Sequence, residues 1–328
     1  MPRWFRRLLQ LLLTVAVLGA LVVAVDPAAL YATARAANGG WVAVALLLLP
    51  LNLLLDGGVW RRLLGAVDGT FPPRRVAAAV LSGLALGFWT PARLGEYAGR
   101  AFAFPGADRW TMSVTVFVQR MVDMAVGVGV GLALLLGALW TGALPATPPW
   151  IGAAAVGGGT TAVLGLGVGW PGLLHRAAGL VDRWGPAVSA RTAFLQRLGA
   201  ADRAAVVAGT GARYVVFIGQ FMCLGLAFAP SAALGTLAAA AGLTFYVKYL
   251  VPSLTLLDLG IREGGAVFFF SAFGLGGAAG LNAALLLFAI NVLLPAALGI
   301  PFAARLPAAS STEDGPASTK FSSILSPS

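Results

Sequence analysis

Six long apolar runs constrain this sequence more than any other feature. Each is close to, or longer than, the roughly 20 residues that a helix needs to cross the hydrocarbon core of a bilayer. They span residues 8–25, 40–59, 113–140, 151–170, 204–229 and 232–251. Only 10% of the 328 residues are charged and 59% are hydrophobic, which excludes a soluble domain of this size. The sequence therefore predicts an all-α, polytopic helical membrane protein.

Two further apolar regions are less regular. Residues 76–90 form a short run interrupted by Gly83 and Gly87, and residues 266–301 form a long run broken by glycines at 274–277. Irregular backbone at membrane depth has to be buried in protein or face water. We therefore expect about seven to eight transmembrane helices plus one or two re-entrant helical hairpins. The short piece before the 274–277 break either crosses or dips and returns, and the uncharged break favours two crossings.

The distribution of arginine predicts how the chain is oriented. Basic residues concentrate on the cytoplasmic side of membrane proteins. With the N-terminus inside, the connections at 60–75 and 171–203 both face the cytoplasm, provided that 76–90 returns to the side it entered from. All 22 basic residues then lie at or near the cytoplasmic face except Arg35, Arg120 and Arg213. We predict a multi-pass protein of the cell inner (cytoplasmic) membrane with cytoplasmic N- and C-termini.

The domain organisation follows from these runs. Residues 1–305 are predicted to form a single transmembrane domain, with a cytoplasmic amphipathic connection at about 171–203. Residues 306–328 are rich in Ser, Thr, Pro and Ala and are predicted to be a disordered cytoplasmic tail. The first run is followed by Asp26-Pro27-Ala28, a poor signal-peptide cleavage site, so we expect it to remain as a helix.

A charged stretch between two apolar runs, residues 90–100, is the first candidate site. Pro91 ends the preceding helix because its ring restricts the residue before it. Arg93, Glu96 and Arg100 are spaced by three and four, so they share one face of a helix. One interpretation is a salt-bridged cytoplasmic loop. The other is the mouth of a polar cavity, where arginines oriented by Glu96 hold an anionic headgroup.

A second stretch, residues 258–265, repeats this pattern of glycine, arginine, glutamate and glycine before a short apolar piece. Arg262 and Glu263 point about 100° apart on a helix, so one can face a substrate while the other pairs elsewhere. Asp258 precedes them. Short, glycine-interrupted apolar segments in the two halves of a transporter indicate a binding site near the midplane. A chance repeat is the alternative.

Charged residues also occur inside the apolar runs. Arg120 and Asp123 are three apart and can pair on one helix face. Arg213 lies at similar depth, and Glu96, Asp123 or Asp258 could neutralise it. Intramembrane charges indicate function by default, although a structural ion pair between helices explains them equally well.

Polar uncharged positions add detail to this picture. Asn52 and Asp56 are one turn apart on the second run and can line the same cavity. Asn282 and Asn291 are predicted to form hydrogen bonds between helices. The candidate substrate-binding residues are Arg93, Glu96, Arg100, Arg120, Asp123, Arg213, Asp258, Arg262 and Glu263.

Signatures of enzymes and of metal or nucleotide sites are missing from the sequence. His175 and Cys223 are each the single residue of their type, and no P-loop or G-x-S-x-G motif occurs. We therefore predict no catalytic residues, no metal and no cofactor. The net charge of +10 suits anionic lipid in a membrane chain, so we expect no nucleic-acid partner.

These residues together resemble the lysylphosphatidylglycerol synthase transmembrane region family, also called the flippase-like integral membrane family, from about Leu51 to Phe302. The resemblance is carried by Trp60-Arg61, Pro91-x-Arg93-x-Gly95-Glu96, Arg120-x-x-Asp123, Gly260-Ile261-Arg262-Glu263 and Asn291-x-x-x-Pro295-x-x-x-Gly299. The chain departs from many members at Gln119, where they have glutamate, and at 257–259, where they have Pro-Gly-Gly. The aminoacyl-transferase domain of the synthases is not in this sequence, so we do not expect the chain to make lipid.

The resemblance implies a helical fold with re-entrant elements around a polar cavity, associated with moving modified or glycosylated lipids between leaflets. The leading hypothesis is a translocase for an anionic, aminoacylated or glycosylated lipid. In it, Arg93, Arg100 and Arg262 contact the phosphate, while Glu96, Asp123 and Glu263 hold those arginines. One alternative is a non-transporting partner of a lipid-modifying enzyme or glycosyltransferase, docked through 171–203. Another is an ion-coupled solute transporter.

Overall fold

The computed structural model describes residues 3–90, 93–169, 176, 179–180, 182, 188–251 and 259–306. Regular structure in these residues is entirely helical, so the all-α prediction is confirmed. The helices are α1 (Arg3–Val25), α2 (Pro27–Arg35), α3 (Gly39–Leu64), α4 (Pro73–Phe88), α5 (Leu94–Phe102), α6 (Arg109–Trp140), α7 (Pro148–Gly169), α8 (Val188–Thr192), α9 (Phe194–Arg197), α10 (Ala200–Phe228), α11 (Leu234–Leu250), α12 (Ile261–Ala272), α13 (Gly277–Phe288) and α14 (Leu294–Ala303). A π-helical turn, Ala289–Leu293, joins α13 to α14.

Five helical segments of the described chain are long and apolar enough to cross a membrane. They are α3, α6, α7, α10 and the unit Gly277–Ala303 that contains α13 and α14. A sixth appears if α1 and α2 are taken as one span bent by 82° between Val25 and Pro27. The chain is therefore a polytopic helical membrane protein. The expected seven to eight spans are not all found because α11 and α12, of 17 and 12 residues, are short.

One end of the bundle carries most of the described arginines, and we call it the arginine-rich end. Arg197 after α9 pairs with Asp68 after α3, with 2.6 Å between Nη1 and Oδ1. Arg191 in α8 lies over the Trp110 ring at the start of α6, 5.1 Å from its centroid. These contacts place the C-terminus of α3 and the N-terminus of α6 at the same end.

Helices α4 and α5 form an antiparallel hairpin, which we call hairpin 1. A Cβ on Gly99 would lie 2.7 Å from the Gly83 Cα, and a Cβ on Gly95 would overlap the Leu86 carbonyl. The chain reverses after α4, as predicted for 76–90. The tip is closed by the Gly95 N–H, which donates to the Thr90 hydroxyl at 2.6 Å.

Hairpin 1 is too short for either arm to cross a bilayer. The arms have 16 and 9 residues. At 1.5 Å per residue they are about 24 and 14 Å long, against a hydrocarbon core of about 30 Å. Arg93 at the tip has a φ of 56°, in the left-handed region that non-glycine residues rarely adopt. Pro91 lies outside the described residues.

Helices α11 and α12 form a second antiparallel hairpin, hairpin 2. Gly265 packs against Thr244 at the tip end, and Leu237 and Phe270 meet around Gly225 at the other end. Near that other end Trp150, at the start of α7, packs on Phe269. Hairpin 2 therefore starts from the end opposite to the arginine-rich one, and the inner ends of its two helices point towards the tip of hairpin 1.

Hairpin 2 corrects two expectations, namely that 232–251 forms a full span and that Lys248 lies near the cytoplasmic face. The turn at 274–277 is a tight link, with Gly274 and Gly276 at φ values of 73° and 85°, and it connects α12 to the long α13–α14 unit. The two arms of hairpin 2 instead end at Leu250 and begin again at Ile261, and residues 252–258 between them lie outside the described residues. Lys248 was expected near the cytoplasmic surface, but it lines an internal cavity.

Two tyrosines fix α11 against its neighbours. Tyr246 and Tyr249 fill spaces that Gly131 and Gly127 leave on α6. The Tyr246 hydroxyl also donates to the Ala153 carbonyl of α7 at 2.6 Å. This packing holds the arm of hairpin 2 that carries Lys248.

The connection at 171–203 is described only in part. Its described residues include α8 and α9, with Phe194 and Leu195 buried against the bundle. The remainder of this connection, and the tail after residue 306, lie outside the described residues. Their amphipathic and disordered character therefore stays a prediction.

Close packing in hairpin 1 gives a first testable prediction. Gly99→Val is expected to destabilise the protein by about 1–3 kcal/mol because the added carbons overlap the α4 backbone. Gly137→Ala is the matched control, since a Cβ there meets nothing within 4 Å. Thermal unfolding in detergent measures both. Equal stability of Gly99→Val and wild type would contradict the close approach.

Candidate functional site

A polar cavity of about 170 Å³ lies where the two hairpin tips meet α3, α6 and α10. Arg213 on α10 lines it, 13 residues from Ala200, which is about 20 Å along the helix. Asp56 on α3 also lines it, eight residues from Leu64, or about 12 Å. The cavity is therefore well inside the span, somewhat nearer the arginine-rich end.

Glu96 on α5 is the central acid of the cavity wall. Its carboxylate pairs with Arg93 at 3.4 Å, with Arg100 at 2.8 Å, and with Arg120 of α6. Only 1% of its side chain is exposed. Gly87 on α4 makes room for it, because a Cβ at that position would lie 3.2 Å from the Glu96 Cβ. The structure thus brings Arg93, Glu96 and Arg100 together, as their spacing predicts.

Arg100 lies behind the cavity wall rather than in it. Its guanidinium donates to Asp56 Oδ2 at 2.7 Å and to Gln119 Oε1 at 3.0 Å, and it stacks over Trp60 at 5.0 Å. The side chain is 1% exposed and does not line the cavity. The expected direct contact between Arg100 and a phosphate does not fit this position, because the neighbouring acids and Gln119 surround its guanidinium.

Asp56 is a second anchor, which sequence reasoning had noted only as a possible lining residue. Besides Arg100, its carboxylate accepts from Gln119 Nε2 at 2.9 Å and pairs with Arg213 at 2.8 Å. Gln119 accepts a hydrogen bond from Arg100 and donates one to Asp56. An ionised glutamate at this position could only accept. The signal available in the sequence was a single carboxylate inside a long apolar run.

Asp123 provides the partner that Arg213 was predicted to need. Their ion pair is 2.6 Å long, and Arg120 lies 3.8 Å from the same carboxylate. Glu96 does not pair with Arg213 in the described contacts. Asp258, the third candidate partner, lies outside the described residues. Arg120 and Arg213 are thus each tied to acids from neighbouring helices.

Arg262 and Glu263 are coupled at the start of α12. Arg262 Nε donates to Glu263 Oε1 at 3.0 Å, and its Nη2 contacts the same oxygen. The other Glu263 oxygen accepts from the Gly260 N–H at 2.6 Å, which caps the helix. Gly260 has a φ of 109°, a conformation open to glycine. Arg262 faces the cavity, whereas the buried Glu263 turns back to hold it.

Uncharged polar groups complete the lining. Asn52 Nδ2 donates to Asn291 Oδ1 at 3.0 Å, across α3 and the π-helical turn. The turn forms where Pro295, four residues on, offers no N–H to the Asn291 carbonyl. Asn282 also behaves as predicted, since it donates to the Leu30 carbonyl of α2 at 3.1 Å.

Two buried hydroxyls of α10 face the cavity and have no hydrogen-bond partner among the described residues. Thr210 is 2% exposed and Tyr214 is 7% exposed. Both line the cavity, and neither oxygen makes a hydrogen bond to any described residue. Buried polar groups nearly always find a partner, so these two positions suit hydrogen bonds to a bound molecule or to water.

Comparison with known proteins identifies the family of this chain. The family model for the lysylphosphatidylglycerol synthase TM region matches residues 7–299. The chain belongs to this family. No curated protein and no solved structure gives a match. In this lysylphosphatidylglycerol synthase TM-region protein, the motif residues Arg93, Glu96, Arg120 and Arg262 converge on one cavity.

The charge of the cavity follows from its lining. Among the described residues of this family member, five cations and three acids line it. They are Arg93, Arg120, Arg213, Lys248 and Arg262 against Asp56, Glu96 and Asp123. Including Arg100 and Glu263, which pair within the same clusters, adds one charge of each sign and leaves the surplus unchanged. In this part of the chain, no group of three or more His, Cys, Asp or Glu residues is placed to hold a metal ion.

Proposed function

We propose that the protein is a lipid translocase whose central cavity binds an anionic headgroup while the acyl chains stay in the bilayer. The surplus of two positive charges among the described lining residues carries this proposal. Positive charge is costly at membrane depth unless an anion compensates it. A phosphate-containing headgroup supplies one or two negative charges and accepts charge-assisted hydrogen bonds from arginine.

The cations divide into two groups by their surroundings. Arg100, Arg120 and Arg213 are held by Asp56, Glu96 and Asp123. We assign these residues to shaping the cavity.

Arg93, Lys248 and Arg262 stand at or near the two hairpin tips and are assigned to the phosphate. Arg93 is 3.4 Å from Glu96, the longest of that carboxylate's ion pairs, and its side chain is 32% exposed. Its position suits an arginine that changes partner when a ligand enters. The phosphate role given to Arg262 by the sequence is retained, and Lys248 is added to it.

The same distribution of arginine supports an orientation in the inner membrane. By the positive-inside rule we assign the arginine-rich end to the cytoplasm, and we keep the expectation that both termini lie there. Hairpin 1 then enters from the cytoplasm and hairpin 2 from the opposite side, and both are re-entrant. A headgroup at the tips is separated from each surface by one hairpin, an arrangement suited to exposing one site to each side in turn.

Reconstitution into vesicles that carry reporter lipids tests the proposal. We expect the wild-type protein to move an anionic, aminoacylated or glycosylated lipid between leaflets faster than protein-free vesicles do. Neutral zwitterionic lipid with the same chains is the control. A wild-type protein that moves none of the three lipid classes would overturn the proposal.

Two other outcomes support the alternative functions. Co-purification of a lipid-modifying enzyme or glycosyltransferase, lost on removal of residues 171–203, would favour a docking partner when no flux is seen. Electrogenic uptake of a soluble substrate would favour an ion-coupled solute transporter.

The unpartnered hydroxyl of Tyr214 gives a prediction that separates binding from folding. Tyr214→Phe removes an oxygen that makes no hydrogen bond to a described residue. We expect the free energy of unfolding to change by less than about 1 kcal/mol. Lipid movement is expected to slow several-fold, because a neutral hydrogen bond to the headgroup is worth about 0.5–1.5 kcal/mol. Thermal unfolding and vesicle flux measure the two effects. Unchanged flux would remove Tyr214 from the binding site.

A further inference from the structure

A second pocket lies at the arginine-rich end and shares no lining residue with the central cavity. Its volume is about 590 Å³. Small residues of α3 and the turn after it, Gly58, Gly65 and Ala66, form part of its wall, and Arg61 and Arg197 lie beside them. None of these residues lines the central cavity.

Helix packing explains why this pocket exists. Helices α3 and α10 approach closely at Gly209, where a Cβ would lie 2.9 Å from a Val59 methyl group. Next to that contact Gly58 has no side chain, and a Cβ there would meet nothing within 4 Å. The pocket therefore opens beside a close helix contact, towards the connection that leads into α10.

Three arginines from two segments surround this space. Arg61 and Arg62 are in the last turn of α3, and Arg197 is at the end of α9. Asp202 is the one acid of the described lining, and it lies 3.9 Å from Arg62 in a largely exposed pair. Exposed pairs of this kind contribute little.

Arg197 is oriented by an acid outside the pocket. Its Nη1 lies 2.6 Å from Oδ1 of Asp68, in the turn that follows α3. That contact fixes one edge of the guanidinium fork and leaves other N–H groups for a ligand. The pocket lining thus combines three cations with one weakly paired acid.

The depth of the pocket matches that of a lipid headgroup. Helix α3 is a candidate span that ends at Leu64, and Gly58 lies six residues before that end. Six helical residues correspond to about 9 Å. The pocket therefore reaches from the surface, where the arginines lie, to the edge of the apolar region.

We propose that this pocket binds the phosphate of an anionic phospholipid from the surrounding leaflet. Arg61 and Arg197 hold the phosphate oxygens, while the glycine wall admits the glycerol backbone. Basic pockets between transmembrane helices on the cytoplasmic side bind such headgroups. The bound lipid joins α3 to the segment before α10, so it ties the connection at 171–203 to the bundle without taking part in transport.

Binding to delipidated protein in neutral detergent tests this site. Unfolding temperature is measured against increasing short-chain phosphatidylglycerol, phosphatidylcholine or inorganic phosphate. We expect saturable stabilisation by phosphatidylglycerol alone. Stabilisation by inorganic phosphate at the same concentration would show that free phosphate, and not a lipid, is the ligand.

A matched pair of variants locates the effect. Arg61→Ala/Arg197→Ala is expected to weaken the response to phosphatidylglycerol at least tenfold in midpoint concentration. Arg74→Ala/Arg75→Ala removes the same charge from exposed positions at the start of α4, at the same end of the bundle. This variant is expected to keep the wild-type response to phosphatidylglycerol. Equal weakening in both pairs would overturn the site, because it indicates a general charge effect. Loss of the response in Arg262→Ala alone would instead assign it to the central cavity.

Discussion

Glu96→Gln is expected to destabilise the protein by about 3–5 kcal/mol, the usual cost of breaking a buried ion pair by removing one partner. The substitution keeps the shape of the side chain but removes the negative charge that faces Arg93, Arg100 and Arg120. Those arginines then repel one another with only Asp56 and Asp123 to compensate them. Hairpin 1 is expected to loosen first, because Glu96 joins its short arm to α6.

Asp68→Asn is the control for this effect. Asp68 also pairs with an arginine, but it is 87% exposed, so its loss is expected to cost less than about 1 kcal/mol. Unfolding in detergent by heat, followed by circular dichroism, compares the two. A Glu96→Gln protein as stable as Asp68→Asn would show that the buried network contributes little to folding.

Arg262→Ala is expected to slow lipid movement by about tenfold or more, because a hydrogen bond to a charged group is worth about 1.5–3 kcal/mol. Vesicle flux of the anionic reporter lipid measures the change. Arg262 is the cation of hairpin 2 that enters the cavity from α12, and its neighbour Glu263 holds it there. Removing it takes away half of the positive surplus of the described lining.

The single substitution leaves Glu263 buried without its cation, so folding has to be separated from transport. Arg262→Ala/Glu263→Gln removes both charges and is expected to fold better than Arg262→Ala while staying equally slow. Arg305→Ala, an exposed change near the end of the described chain, is the control for flux. Wild-type flux in the folded double variant would exclude Arg262 from the lipid path.

Two features of hairpin 1 were predicted from the sequence, one from local spacing and one from the distribution of arginine along the whole chain. The intervals between Arg93, Glu96 and Arg100 place three side chains on one face, and the structure keeps all three in contact. The reversal after residue 88 also followed, because only a return of the chain keeps the arginines on one side. The first of these predictions depends on neighbours within two helical turns, and the second on charges summed over the whole chain.

Contacts between distant helices could not be predicted in the same way. Asp56 contacts Arg100, Gln119 and Arg213, which are 44 to 157 residues away in the sequence. The apolar residues around Asp56 do not indicate which of the distant polar residues it will contact. The chain turns at the glycines of 274–277, where the sequence left open whether the short piece before them crosses or returns, but the pairing of α11 with α12 was not predicted. Residues 232–251 were predicted as a full span, whereas α11 has 17 residues and packs its tyrosines against α6.

The mid-depth position of the cavity has an electrical consequence. An elementary charge that crosses a membrane gains or loses about 2.3 kcal/mol per 100 mV. The cavity arginines are anchored by helices and ion pairs, so the voltage acts mainly on a mobile anion. In the proposed orientation the arginine-rich end faces the negative cytoplasm, so the potential would drive an anionic headgroup outwards and oppose its return. If the protein moves lipid as proposed, the membrane potential of a resting cell would maintain a lipid asymmetry through it without coupling to nucleotide hydrolysis.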